Sequence, residues 1–442
     1  MHKKNLIYKF ALTAIIVGFF ILSVKSQETV NYPEINIKTY DQYLKSEWKD
    51  LIKTGKISLK NDIDFYYLQV RMGIAYYELK KYRQAINYFE NARDQNPNDE
   101  LIKEYLYYSY LFSGRIEDAR KFTSVLSVNL KEKIGIKQNP IFSSIYIETK
   151  FDNWKDYTAE TNTGDILKQD IRTDFSYYSV NFENLIQNDK RIYWGYTGIN
   201  ILNNSFVVEE NSAYNFNRSV KQSQLYFKFS KQAKYGLKFN LAFNTALIFS
   251  DELTTVQTKG AWSSSSVGIQ KVTTGAFIGF LSFEKDFSLL KFELSNSLSA
   301  INGQFQIQPG LSMYFYPFGN NNFYTLSSIN NQFDFSSNGT ISQLVVNQSI
   351  GLKIYKIFIE PAISFGNFKN YVSNHAFVIY NDLDVIKDMK SVKIYGYLFN
   401  YKLTLFAKYE DYIKINEYKI NDLDFKKEYS YNAIIGGIKW NF

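Results

Sequence analysis

Glutamine, asparagine and lysine recur at every second position in several segments of the C-terminal two thirds of the chain. Their amide and ammonium groups offer hydrogen bonds to hydroxyl-rich or acidic polymers, and the nearby Tyr226 and Tyr314 could stack on sugar rings. If these segments are strands of a closed barrel, the polar groups face one lumen. The predicted lumen-lining residues are Gln304, Gln306, Gln308, Lys228, Lys238, Asn240, Asn244, Gln343, Asn347, Lys353 and Lys408. The alternative is that they only fill a small barrel, whose interior is polar in any case.

Two pairs of aspartates, Asp382/Asp384 and Asp422/Asp424, have the spacing at which carboxylates can share a hard cation. Neither pair is followed by the glycine and bidentate glutamate of an EF-hand loop. Solvated loops are the simpler explanation, so we expect no metal site.

An esterase would have to combine His375 with Asp382 and a serine such as Ser373, but closeness in one loop is weak evidence for a triad. The sequence has no cysteine, which excludes disulfides and thiolate metal sites. His375 is the only histidine beyond the N-terminal segment, which leaves little material for a histidine-based relay. No G-x-S-x-G, Walker or dinucleotide-binding motif is present. We therefore expect neither an enzyme nor a cofactor.

The composition favours a membrane barrel. Tyrosine and phenylalanine number 37 each, as interfacial aromatic girdles would require. The net charge of +8 comes from lysines scattered between apolar residues rather than from a continuous basic stripe. This pattern argues against nucleic acid as a partner.

From residue 140 onward, apolar and polar residues alternate with the period of a two-faced strand. Leu225, Phe227 and Phe229, for example, alternate with Gln224, Tyr226, Lys228 and Ser230. About fourteen such segments are long enough for tilted membrane strands, and twelve is the alternative because the connections at 300–303 and 335–340 are short. The long connections are expected at 152–172, 203–220, 251–271, 368–388 and 415–428.

The last fourteen residues, 429–442, resemble the strand that closes bacterial outer-membrane barrels. One face carries apolar residues at every second position and ends the chain on an aromatic side chain. The residues of this predicted C-terminal signal for the barrel-insertion machinery are Ile434, Ile438, Trp440 and Phe442.

The N-terminus predicts export. Lys3 and Lys4 precede an apolar run from Phe10 to Val24 that is short for a membrane span, and Val24 and Ser26 suit the small-residue positions of a cleavage site. We expect a signal peptide at residues 1–26, with an uncleaved anchor helix as the alternative.

Residues 38–135 show helical rather than strand spacing. Within them, Met72-Gly73 and further residues match the tetratricopeptide spacing of L-G-x2-Y, A-x3-F and a closing proline. The predicted packing positions are Gly73, Tyr76, Ala85, Phe89, Ala92 and Pro97. We expect a periplasmic tetratricopeptide-like domain at 27–137 and an outer-membrane barrel at 138–442. An even strand number and the signal peptide both place the helices on the periplasmic side.

The signal peptide, the short tetratricopeptide segment, the aromatic-rich barrel and the closing GGIKWNF together resemble the YaiO-type outer-membrane β-barrel family. The resemblance implies fold and location and brings no established activity, ligand or catalytic residue. The layout is also similar to that of exopolysaccharide-export porins, although the helical part here is shorter.

These observations predict an outer-membrane pore that supports transport or export of a polar solute or polysaccharide, with the helices docking a periplasmic protein partner. The alternative is a non-conducting structural or adhesion barrel that binds partners through its surface loops.

Overall fold

The computed structural model describes residues 31–136, 142–154, 166–209, 212–258, 264–336, 339–381, 384–399, 401–420 and 423–442. The predicted signal peptide and the predicted boundary at 137/138 lie outside these residues. Helices precede strands along the chain, and this order confirms the predicted α plus β-barrel layout.

Seven α-helices occupy the described part of the N-terminal segment, and each of the first five packs on the next one in sequence. They are α1 (Tyr32–Leu44), α2 (Trp48–Lys60), α3 (Tyr66–Glu78), α4 (Tyr82–Gln95), α5 (Glu100–Phe112), α6 (Ile116–Phe122) and α7 (Val128–Lys133). Among the described residues, no helix has both the length and the hydropathy that crossing a membrane would require.

The helices share one apolar core, and the predicted packing residues lie in it. Tyr76, Ala85, Phe89 and Ala92 are buried there. A Cβ on Gly73 would lie 2.5 Å from Phe89, so α3 and α4 can approach this closely only at a glycine. Pro97 is exposed just after the end of α4, where it cannot extend the helix. The assignment of these helices to the tetratricopeptide class stays a prediction.

Fourteen strands form one closed antiparallel barrel, which confirms the larger of the two predicted strand numbers. They are β1 (Phe142–Trp154), β2 (Ile166–Gln187), β3 (Lys190–Glu209), β4 (Ser212–Gln232), β5 (Leu237–Thr258), β6 (Ser264–Asp286), β7 (Leu290–Ile301), β8 (Gln304–Phe315), β9 (Phe323–Ser336), β10 (Gly339–Ile354), β11 (Ile357–Gly366), β14 (Val385–Leu398), β15 (Leu403–Ile420) and β16 (Leu423–Asn441). A short hairpin, β12 (Tyr371–Ser373) and β13 (Val378–Tyr380), forms a separate sheet.

The barrel closes where β1 pairs with β16, with Ile147 opposite Ile438. Residues that are paired across neighbouring strands point to the same face of the sheet. The alternation of apolar and polar residues along each strand therefore gives the barrel an apolar outer face and a polar inner face. On β4, Leu225 is 62% exposed on the outside whereas Gln224 is 3% exposed on the inside. The structure also places Ile434, Ile438, Trp440 and Phe442 of the C-terminal strand on the exposed outer side.

Three of the predicted long connections are wrong, because most of their residues are strand. The segments 203–220, 251–271 and 415–428 continue the hairpins β3–β4, β5–β6 and β15–β16. Cross-strand backbone hydrogen bonds hold these extensions together even where the sequence lacks an apolar face. Strands β5 and β6 contain 22 and 23 residues, whereas a membrane crossing needs about 9–11. In the connection 152–172, residues 155–165 lie outside the described residues.

Candidate functional site: the barrel lumen

The predicted lumen residues lie on the inner face or at its rims. Asn240, Asn244 and Gln306 are at most 1% exposed, and Gln308 is also buried. Lys238 forms ion pairs inside the barrel, and Gln343 donates a 2.5 Å hydrogen bond to Asp334. Lys228, Asn347 and Lys408 border a cavity. The two remaining residues lie near strand ends: Gln304 accepts a long hydrogen bond from Asn370, and Lys353 is exposed over the ring of Phe358. Their role in transport stays a prediction.

The connection expected as an outer loop at 368–388 instead carries an inward-folded hairpin, which we call the lumen hairpin (residues 368–381). Gln308 both donates to the Val372 carbonyl and accepts from its N–H, at 2.7 and 3.1 Å. Asn244 donates to the Ala376 carbonyl at 2.7 Å, and Tyr226 donates to the His375 carbonyl at 3.2 Å. The predicted lumen side chains therefore bind a segment of the chain itself.

Apolar packing explains why this segment enters the barrel. Val372, Ala376 and Ile379 of the lumen hairpin are buried against the wall residues Ala246, Ala276, Ile278 and Ile301. Burying this surface is favourable, whereas a loop with these residues outside would expose it to water. In the sequence, apolar residues at inward-facing strand positions, such as Ile278, could have indicated that a segment packs inside the barrel.

His375 lies at the tip of the lumen hairpin. Asn374, His375 and Ala376 all have positive φ, between 50 and 66°, a conformation that residues with side chains adopt only when their surroundings enforce it. The imidazole Nε2 lies 2.9 Å from Glu293 Oε1 and 4.0 Å from Glu284 Oε1. The structure thus pairs His375 with two glutamates. Asp382, the acid considered for an esterase triad, lies outside the described residues.

Glu284, Glu293 and His375 are close enough together to hold a metal ion. However, Glu284 already accepts from Asn240 at 2.7 Å and contacts Lys291 at 2.5 Å and Lys238 at 3.3 Å. Two ammonium groups therefore compensate the carboxylates, and the arrangement is an ion-pair network. Of the two aspartate pairs considered in the sequence, Asp384 accepts hydrogen bonds from Asn416 and Tyr429. Asp382, Asp422 and the side chain of Asp424 lie outside the described part of the chain.

The helical segment covers the end of the barrel at which the short turns lie. Arg83 of α4 forms a 2.8 Å ion pair with Asp286, lies 3.5 Å above the ring of Tyr316 and donates its backbone N–H to Gly319. Asn320 of the β8–β9 turn donates to the Lys80 carbonyl at 2.9 Å. Arg83 is only 3% exposed, so this contact excludes water.

Helix α6 extends the same contact into the barrel mouth. Glu117 lies 3.1 Å from Arg191 and 3.3 Å from Lys238, and Gln232 donates to Asp118 at 2.8 Å. Desolvation raises the pKa of Glu117, but the charges of Lys238 and Arg191 outweigh it and lower the pKa to about 2. Glu117 is therefore ionised at neutral pH and binds two cations of the barrel wall.

Lys238 connects the two ends of the lumen. Its Nζ lies 3.3 Å from Glu117 of α6 and 3.3 Å from Glu284, which in turn lies 4.0 Å from His375 of the lumen hairpin. A chain of charges thus joins the helix at one mouth to the hairpin that enters from the other.

A cavity of about 780 Å³ occupies the lumen beside the hairpin. It is bordered by charged and aromatic side chains on β1–β4, β11 and β14–β16, many of which the sequence analysis did not single out. Among them are Tyr146, Lys150, Tyr177 and Lys393. The alternation along β1 and β14 could have identified Tyr146, Lys150 and Lys393, since each lies on the inward face of its strand.

No protein-family model matches the chain, and no curated protein sequence matches it. Among solved structures, the toluene transporter TodX of P. putida is 8% identical, with 69% of this chain and 91% of that chain covered and a TM-score of 0.44. A FadL homologue of Pseudomonas aeruginosa is 10% identical, with coverages of 68% and 90% and a TM-score of 0.41. A bacterial polysaccharide outer membrane secretin is 7% identical, with coverages of 69% and 100% and a TM-score of 0.35. Similarities of this size do not identify a solute for this chain.

Proposed function

We propose that this protein is an outer-membrane channel for a polar solute or polysaccharide that is closed by its lumen hairpin, with helix α6 docked at the rim of the opposite mouth. The observation that carries the proposal is the charged, tyrosine-rich cavity of about 780 Å³ beside the hairpin. A barrel that served only as a scaffold would have no need of a solvated space of this size, which is in the range of small-molecule sites.

The proposed location follows from the two faces of the barrel. Closed antiparallel barrels with an apolar exterior satisfy all backbone hydrogen bonds in lipid. Short turns typically face the periplasm, and the helices lie at that end, since the turn around Gly319 and the β4–β5 turn around Gly236 approach Gln84 and Arg115. We therefore place the helical segment in the periplasm, where it is available to a protein partner.

Closure by the lumen hairpin is the form of gating that fits the contacts. The hairpin is held by apolar packing, by hydrogen bonds that include those from Gln308, Asn244 and Tyr226, and by the His375–Glu293 contact, none of which belongs to the strand pairing of the barrel. Removing it would join the cavity to the space that the hairpin fills, without breaking any strand pair of the barrel.

The second candidate is a non-conducting barrel that binds partners at the surface. The long hairpin β5–β6, with its pairing continuing to Thr258 and Ser264, favours this candidate because it extends well beyond the length that lipid requires. On this account the hairpin is a permanent plug and the cavity is closed space.

Planar-bilayer recording separates the two candidates. The purified full-length chain is compared with a variant in which residues 369–380 are replaced by a short Gly-Ser linker, which is feasible because β11 and β14 are paired neighbours. The channel proposal predicts small or rare openings for the full chain and a stable, larger conductance for the variant. If the folded variant carries no current, the channel proposal is wrong and the structural candidate stands.

A further inference from the structure

We propose that the cavity binds an acidic oligosaccharide, whose carboxylates pair with Lys228 and Lys393 and whose sugar rings lie against the tyrosines. This inference rests on the proposed channel function and names its substrate class.

Lys393 belongs to a row of lysines along one wall. Cross-strand pairing places Lys393 beside Lys408, Lys408 beside Ile435, and Ile435 beside Lys150. On its other side Lys393 is in register with Glu360, whose carboxylate accepts hydrogen bonds from Tyr324 and Tyr395 and forms no ion pair with Lys393. Within this row Glu410 neutralises Lys408 at 2.5 Å and Lys150 at 3.2 Å. Among the described residues no carboxylate lies within ion-pair distance of Lys393, whose ammonium lies 5.2 Å from the ring of Tyr395 and 5.5 Å from that of Phe406.

Lys228 supplies a second such ammonium from another wall. Strands β4 and β14 are six steps apart around the fourteen-stranded barrel, so the two lysines enter the cavity from nearly opposite sides. The Lys228 ammonium lies 4.2 Å from the ring of Tyr193, and within the described chain it too has no carboxylate at ion-pair distance. Because both lysines border the same cavity, an extended ligand with several carboxylates could pair with both.

The carboxylates of the cavity are already engaged. Glu148 accepts hydrogen bonds from the hydroxyls of Tyr146 and Tyr177, and Glu360 accepts from Tyr324 and Tyr395. Glu183 is paired with Lys439 and Arg191. Six cationic side chains and four carboxylates border the cavity, so its wall carries an excess of positive charge. A neutral ligand would leave Lys228 and Lys393 without an anionic partner.

Aromatic surfaces specify a carbohydrate rather than a small inorganic anion. Tyr146, which stacks on Phe406, and Tyr177 are half-buried at the cavity wall, and Phe377 packs edge-on against Tyr226 beside them. Rings of this kind bury the apolar faces of sugars, while amides such as Gln222 and Gln224 at the cavity wall offer bonds to hydroxyls. Sugar rings with carboxylates are the ligand chemistry that uses both features.

Calorimetry on the full chain in detergent tests the proposal, with a hexamer of galacturonic acid as the acidic probe and maltohexaose as the neutral one. We expect the acidic hexamer to bind with an affinity that falls as salt is raised, and Lys228→Gln and Lys393→Gln each to weaken it about tenfold. Lys439→Gln is the matched control, because it removes a lysine from the same cavity whose charge is already paired with Glu183. We expect this control to change the affinity less than about twofold.

The proposal is overturned if the neutral hexamer binds as tightly as the acidic one, or if Lys439→Gln weakens binding as much as the other two substitutions. It is also overturned if the acidic hexamer does not bind a protein whose shifted gel mobility on heating shows a folded barrel. Any of these outcomes would reject the acidic ligand only, and the channel proposal would still stand if the hairpin-shortened variant conducts. Binding of the acidic hexamer to a protein that never conducts would instead retain the site and reject the channel.

Discussion

The imidazole Nε2 of His375 lies 2.9 Å from a carboxylate oxygen of Glu293, and this contact fixes the tip of the lumen hairpin to strand β7. His375 is supplied by a segment between β11 and β14, so the contact spans the lumen rather than a neighbouring strand pair. Substituting His375 is therefore the most direct test of whether the hairpin opens.

His375→Ala should open the channel more often. The substitution removes the contacts to Glu293 and Glu284, and a hydrogen bond to a charged group contributes about 1.5–3 kcal/mol. The open fraction should therefore rise about tenfold or more, as measured by single-channel recording. Ser373→Ala, on the same hairpin, is the control and should leave the open fraction unchanged. Equal open fractions in His375→Ala and the unmodified protein would show that this contact does not hold the hairpin.

Arg83→Ala should loosen the helical segment from the barrel. Arg83 is buried and Asp286 is partly buried in their ion pair, and breaking a buried pair costs up to about 3–5 kcal/mol because it leaves an unpaired charge. Limited proteolysis of the chain in detergent should then release the helices much faster. Arg93→Ala is the control, since Arg93 pairs with the exposed Asp94, and it should leave the rate unchanged. Identical cleavage rates for both variants would contradict the docking contact.

Docking of α6 should weaken in acid. The pKa of Glu117 is lowered from 4.5 to about 2 in the docked state by Lys238 and Arg191. A lowered pKa means that the ionised carboxylate stabilises docking above pH 4.5 and that this contribution is lost as the pH falls towards about 2. Hydrogen exchange of residues 116–122, corrected for the intrinsic pH dependence, should increase across this window. In Glu117→Gln the exchange should be faster at neutral pH and lose this pH dependence; unchanged exchange in this variant would refute the role of Glu117.

Gly73→Ala should destabilise the helical core. The added Cβ would lie 2.5 Å from Phe89, and overpacking of this kind typically costs about 1–3 kcal/mol. The thermal midpoint of the helical unfolding transition, followed by circular dichroism, should fall. Combining the substitution with Phe89→Leu should recover part of the loss, because the smaller side chain vacates the contact. A midpoint that is unchanged in Gly73→Ala would contradict the close approach of α3 and α4.

Local patterns were sufficient to predict the barrel and the faces of its strands. The alternation of Leu225 and Phe227 with Gln224 and Tyr226 fixes which side chains point inward, because the period of a strand is two residues. The packing of Gly73 against Phe89 was likewise visible as a spacing within two adjacent helices.

Contacts between distant segments could not be predicted in this way. Nothing near His375 in the sequence indicates that Glu293 is its partner, and Arg83 and Asp286 are 203 residues apart. The lumen hairpin was predicted as an outer loop because its length suggested one, although its apolar residues could have indicated burial. Such pairings depend on how the closed barrel brings separate strands and loops together.

The most direct test of the central claim is the reversal potential of the hairpin-shortened variant in a KCl gradient, before and after Lys393→Glu. If ions pass through the cavity, reversing a charge on its wall should shift the reversal potential towards that of a cation-selective pore. The matched change Lys387→Glu, at a residue exposed on the surface, should leave it unaltered. An unshifted reversal potential in Lys393→Glu, or no current at all, would contradict the account of the lumen as a gated conduit.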